Sequence, residues 1–174
     1  MHSKGFARVD SQASYLCMVI VHATWFAAMA SERLLLGREV PLIIFLTALT
    51  IFIFAQGLRW WAIRSLGTQW NVQVMAPSAG NPDPGVVASG PYHYVRHPNY
   101  LAVILEFLSL PLLLGAPYTA LMWSVLNGIV LYFRIRAEEN HLMQRPDYRH
   151  LFHNTPRLIP SLLLGVAKRH RLHP

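Results

Sequence analysis

Residues 40–63 read VPLIIFLTALTIFIFAQGLRWWAI, and their reading decides the fold. A run of this length with a single charge is long enough to cross a bilayer, which takes about 20 apolar residues. Trp60 and Trp61 stand at its end, where an interfacial aromatic belt is found. Upstream, residues 13–30 (ASYLCMVIVHATWFAAMA) form a second apolar run. Downstream, residues 99–115 and 117–133 form a third and a fourth, joined by a tight turn at Gly115, Ala116 and Pro117. Pro111 should bend the third run near its outer end. Residues 134–152 continue as a helix into water, broken near Pro146. The expected fold is all-α and polytopic, with about four transmembrane helices.

Composition agrees. The 174 residues are 53% hydrophobic and 13% charged, against ~25% charged in soluble proteins. The formal net charge of +7 raises the question of nucleic acid. The basic residues flank apolar runs instead of forming a stripe interleaved with aromatics, so the partner is anionic lipid and not nucleic acid. One cysteine, Cys17, excludes an intrachain disulfide, and no histidine or cysteine spacing fits a metal, so none is expected. Lys4 and Arg8 precede the first run, Arg59, Arg64 and Arg96 lie between the second and third, and Arg134 and Arg136 follow the fourth. The positive-inside rule then puts both termini and the 64–98 loop in the cytoplasm. A cleaved signal peptide ending at Ala28-Met29-Ala30 is the rival for the first run. Residues 76–85, APSAGNPDPG, are a turn cluster, Val86 to Ala88 a short extended piece, and the tail AKRHRLHP a basic end.

The stretch at residues 90–107, GPYHYVRHPNYLAVILEF, carries polar machinery into the third run. Tyr92, Arg96, His97 and Tyr100 stand at its mouth; Arg134, Glu138, Glu139 and His141 stand at the exit of the fourth. The tight turn makes the two runs antiparallel, so these groups are neighbours, and Arg134, Glu138 and His141 share a helix face. Taken singly, each is an ordinary interface anchor or a solvated pair; the combination exceeds what anchoring needs. Glu106 lies about two turns into the third run, where a carboxylate costs ~2.5–3.5 kcal/mol unless paired. Its expected partners are His22 and Asn127.

The stretch SGPYHYVRHPNY, an apolar hairpin and then RIRAEE resemble the isoprenylcysteine carboxyl methyltransferase family, as does the end NTPRLIP. The resemblance covers about residues 66–160. The family pattern Arg-His-Pro-x-Tyr-x-Gly reads here Arg96-His97-Pro98-Asn99-Tyr100-Leu101-Ala102, with Ala102 in place of glycine. The resemblance implies an integral membrane enzyme using S-adenosylmethionine on a lipid-anchored or lipidic acceptor. It implies a cytoplasmic cofactor pocket formed by the 64–98 loop, the last hairpin and a C-terminal helix. The implied cofactor residues are Gly85, Val86, Val87, Tyr92, Arg96, His97, Pro98, Asn99, Tyr100, Glu138 and Glu139. Arg134 would meet the acceptor, and Glu106 becomes a candidate base if the acceptor is a phenol. Three regions follow: a two-span part at 1–65, a methyltransferase core at 66–160 and a basic tail at 161–174. The short chain suits a bacterial inner membrane. The alternatives are a phenolic-lipid O-methyltransferase, a phospholipid N-methyltransferase, an NADPH-dependent sterol-type reductase and a non-catalytic lipid-binding protein.

Overall fold

The computed structural model describes residues 12–70 and 85–160, together with the backbone of two short strands. The elements run β1 (Phe6–Arg8), α1 (Gln12–Leu36), α2 (Leu42–Leu66), a 3-10 turn (Gly67–Gln69), β2 (Met75–Pro77), a second 3-10 turn (Gly90–His93), α3 (Pro98–Leu113), α4 (Pro117–Leu142) and α5 (Pro146–Phe152). Among the described residues, three helices are long and apolar enough to cross a membrane: α1, α2 with the turn that follows it, and α4. The third sequence run is an apolar helix too, but α3 has only 16 residues and falls below that length. The fold is all-α apart from two three-residue strands, β1 and β2, which the sequence reading did not place and which pair antiparallel with Ala7 opposite Ala76. Three-residue strands are too short to leave an alternating pattern in a sequence. The expected extended piece at Val86 to Ala88 pairs with no strand among the described residues. The flanking Lys4, the centre of the 76–85 turn cluster and the 161–174 tail lie outside the described residues.

Proline sets the helix starts. Pro98, Pro117 and Pro146 each open a helix, where the missing N–H is one of the donors that lacks an intrahelical partner anyway. Pro111 lies inside the last turn of α3. The sharp α3–α4 turn uses Gly115 at φ 74°, and a Cβ there would come within 2.9 Å of the Arg38 carbonyl oxygen. Only glycine satisfies both conditions.

α2 packs more extensively against α3 than any other pair of helices in the chain. Its buried side is Ala48, Ala55 and Ala62, spaced by seven residues and at most 2% exposed. Small residues at this spacing let two helix backbones approach closely, which is how helices associate in lipid. α3 contributes Ala102, fully buried, so the alanine at the family's glycine position is accommodated inside the packed helices. α1 joins through Trp25, which stacks on Phe107 with ring centroids 4.2 Å apart and packs with Val103 and Leu131. At the opposite end of the bundle from the polar motif, Glu32 of α1 caps α4. It accepts the backbone N–H groups of Tyr118 (3.0 Å) and Thr119 (2.7 Å) and the Thr119 hydroxyl. A carboxylate there satisfies unpaired helix donors and faces the positive end of the helix dipole.

Candidate active site

The walls of the expected pocket converge at the end of α2 farthest from that cap. Tyr92, Ala62, Tyr148 and Phe152 form one buried cluster, with Leu66, Val86, Val87, Ala88, Leu142 and Met143 packed against it. The 64–98 loop, the ends of α2 and α4, and α5 therefore meet in one place. Gly90 fixes the loop. Its φ of 63° needs glycine, and a Cβ would fall 2.3 Å from the Ser65 hydroxyl of α2. Burial pushes the Tyr92 and Tyr148 hydroxyls above their ordinary value of 10.0, and the nearby Glu138 carboxylate adds to the effect. Both remain protonated donors through the physiological range.

His97 precedes Pro98 and is therefore held out of the helix, at φ −125°. Its backbone N–H and that of Arg96 have no intrahelical acceptor. They donate instead to the carbonyls of Arg157 (3.0 Å) and Pro156 (2.9 Å), while Arg96 Nε donates to the Thr155 carbonyl at 2.7 Å. The segment 155–157 is thus strapped along the Arg-His-Pro motif.

Glu139 is the hub beneath the strap, only 4% exposed. Its Oε1 accepts from Arg96 Nη1 at 3.2 Å and faces His97 Nε2 at 3.3 Å. Its Oε2 accepts from Arg157 Nε at 2.8 Å. The other ring nitrogen of His97, Nδ1, lies 3.7 Å from Glu138 Oε2. Tyr100 stacks on the imidazole with centroids 5.4 Å apart, and its hydroxyl bonds to both Glu138 and Arg134. Arg134 is 2% exposed, the largest fully buried side chain among the described residues. So Tyr92, Arg96, His97, Tyr100, Arg134, Glu138 and Glu139 gather at one end of the bundle, with Val86 and Val87 packed against the cluster of Tyr92.

Two buried acceptors in this cluster have no hydrogen-bond partner: Asn99 Oδ1 and Glu138 Oε2. Unsatisfied buried acceptors are costly.

Glu106 departs from expectation. His22 Nδ1–H donates to the Met18 carbonyl on its own helix at 2.8 Å, and among the described residues no hydrogen bond joins His22 or Asn127 to Glu106. Glu106 is instead gripped by α2. Arg59 Nε donates to its Oε1 at 2.7 Å, Arg59 Nη2 to its Oε2, and Gln56 Nε2 to Oε1 at 2.9 Å. The reason is packing: α2, not α1 or α4, lies closest along α3. Gln56 and Arg59, three apart and so on one helix face, were the available signal. Arg157 was missed as well; its signal was a lone charge within the apolar segment TPRLIP.

Residues 47–144 match the Isoprenylcysteine carboxyl methyltransferase (ICMT) family. The chain is 35% identical over 135 residues to "Uncharacterized protein YpbQ" of Bacillus subtilis, covering 76% of each chain. It is 31% identical over 141 residues to an "Uncharacterized protein" of Haemophilus influenzae, covering 79% of this chain and 77% of that one. The chain belongs to the isoprenylcysteine carboxyl methyltransferase family, a family of membrane methyltransferases.

Proposed function

We propose that the protein transfers a methyl group from S-adenosylmethionine to the oxygen of a lipid-embedded acceptor. The observation that carries this reading is the pair of unpartnered acceptors, Asn99 Oδ1 and Glu138 Oε2, beside the motif. The cofactor's ammonium, ribose hydroxyls and adenine amino group are donors of the kind these atoms need. When bound, S-adenosylmethionine supplies an electrophilic methyl on a sulfonium. The chain's own groups position and seal. Tyr92 and Tyr148, buried and protonated, close the loop side; Glu138 and Asn99 hold donors; Arg134, one helical turn nearer the bilayer than Glu138 on α4, orients the acceptor's head. In-line displacement needs little more than such placement and exclusion of water.

Glu106 reads as a structural partner, not a base. Both of its oxygens are already taken, by the Arg59 fork and the Gln56 amide, so neither is aimed at an acceptor's proton. An acceptor that is already an anion, such as a carboxylate or an ionised phenol, needs no base. A phenolic lipid remains the second acceptor class, favoured by a small chain with bacterial relatives. In this reading α3 also crosses the bilayer, giving four spans with both termini and the site on the cytoplasmic side of a bacterial plasma membrane. Calorimetry of the detergent-purified protein with S-adenosylhomocysteine and with NADPH tests the cofactor. Saturable binding of the first alone is expected; binding of NADPH alone would replace the reading with a reductase.

A further inference from the structure

Three cationic or proton-bearing groups converge on Glu139, and one of them, Arg157, lies outside both the Arg-His-Pro stretch and the Glu-Glu helix. Arg157 closes a loop around His97. Its carbonyl takes the His97 backbone N–H at 3.0 Å, and its guanidinium takes Glu139 Oε2 through Nε at 2.8 Å and Nη2 at 2.7 Å. Glu139 in turn turns its other oxygen to the His97 ring. A neutral imidazole carries one ring proton, and here two carboxylates compete for it. Glu139 faces Nε2 at 3.3 Å and Glu138 faces Nδ1 at 3.7 Å. The remaining charged neighbour is Arg96, which shares Glu139 Oε1. Stacked Tyr100 closes one face of the ring. Whichever carboxylate is held in place decides where the proton sits. Arg157 and Arg96 grip Glu139 from both oxygens, whereas Glu138 Oε2 has no hydrogen-bond donor.

We propose that Arg157 is a positioning residue of this site. Acting through Glu139, it fixes the imidazole of His97 as the Nε2–H tautomer and leaves Nδ1 as an acceptor beside Glu138. Nδ1 then joins Glu138 Oε2 and Asn99 Oδ1 in a set of acceptors for a donor-rich ligand. The effect on cofactor rests on the S-adenosylmethionine reading above; the effect on the ring does not. The side chain of Arg157 is 53% exposed, so replacing it leaves no buried void, and its backbone carbonyl is kept in any variant.

Two measurements test this. The first is the ring 15N spectrum of His97 in the ligand-free protein, assigned with His97→Gln and recorded at alkaline pH where imidazole is neutral. Wild type and Arg157→Lys should show two well-separated nitrogens, the mark of one tautomer. Arg157→Ala and Arg157→Gln should show them drawn together by tautomer exchange. An unchanged ring spectrum in both would overturn the proposal, whether or not any cofactor binds. The second is a double-mutant cycle on S-adenosylhomocysteine affinity. Arg157→Ala should cost about tenfold alone and less than about twofold in a Glu139→Gln background, because contacts that share one partner are not additive. Equal losses in both backgrounds would show that Arg157 acts independently of Glu139. Wild type that binds no S-adenosylhomocysteine would remove the cofactor reading and leave the ring spectrum to decide this one.

Discussion

His97, Glu138 and Glu139 show how adjacent, chemically similar residues take different work. Glu139 is saturated by Arg96, His97 and Arg157, whereas Glu138 keeps an oxygen without a hydrogen bond. The two glutamates should therefore fail differently. Glu138→Gln keeps the size of the side chain and removes the charge that would face the cofactor. It should weaken S-adenosylhomocysteine binding by ~1.5–3 kcal/mol, the range for a hydrogen bond to a charged group, with little change in melting temperature. Glu139→Leu strands two arginines and should lower the melting temperature first. Calorimetry and thermal unfolding on the same preparations separate the two, and identical profiles for both variants would contradict the division. Arg134 is the third case. Arg134→Lys preserves charge but not the planar fork, so acceptor turnover should fall while cofactor affinity holds; loss of cofactor affinity alone would place it at the other end of the pocket.

Among the helices, the α2–α3 contact carries both a small-residue seam and an ion pair. Arg59 and Glu106 lie 29% and 12% exposed. Removing one partner from such a pair leaves a stranded charge, at a cost of ~3–5 kcal/mol for full burial. Glu106→Leu should thus lower the melting temperature clearly, and Arg59→Met with Glu106→Leu should recover most of the loss. A double variant no more stable than the single would mean that the pair does more than neutralise itself. The sequence made these helices legible because apolar runs and helix-opening prolines are local signals. It gave the motif too, since Arg96 to Tyr100 and Arg134 to Glu139 sit at the two ends of one hairpin. What it did not reveal was lateral. Arg59 meets Glu106 across 47 positions and Arg157 meets His97 across 60, and neither spacing leaves a periodic trace. β1 and β2 escaped for the same reason, pairing over a long separation with only three residues each.

For the molecule as a whole, the proposed orientation rests on the distribution of charge and is open to direct test. Reporter fusions before residue 10, within 76–85 and at the C-terminus should report cytoplasm, and fusions near Gly37 and Ala116 the far side. A far-side signal from 76–85 would detach the site from the cytoplasmic cofactor supply. The length of α3 bears on the bilayer itself. Its 16 residues rise about 24 Å at ~1.5 Å each, whereas the hydrocarbon core is ~30 Å thick. A span too short for its surroundings draws the lipid thinner around it. In the proposed four-span reading the motif opens α3 at Pro98, so a mismatch taken up at that end would dimple the leaflet there and bring a lipid's head down to the proposed site. Turnover in vesicles of increasing acyl length should therefore peak in the thinner bilayers and fall as they thicken, and a flat profile would mean that the acceptor reaches the site without help from the membrane's shape.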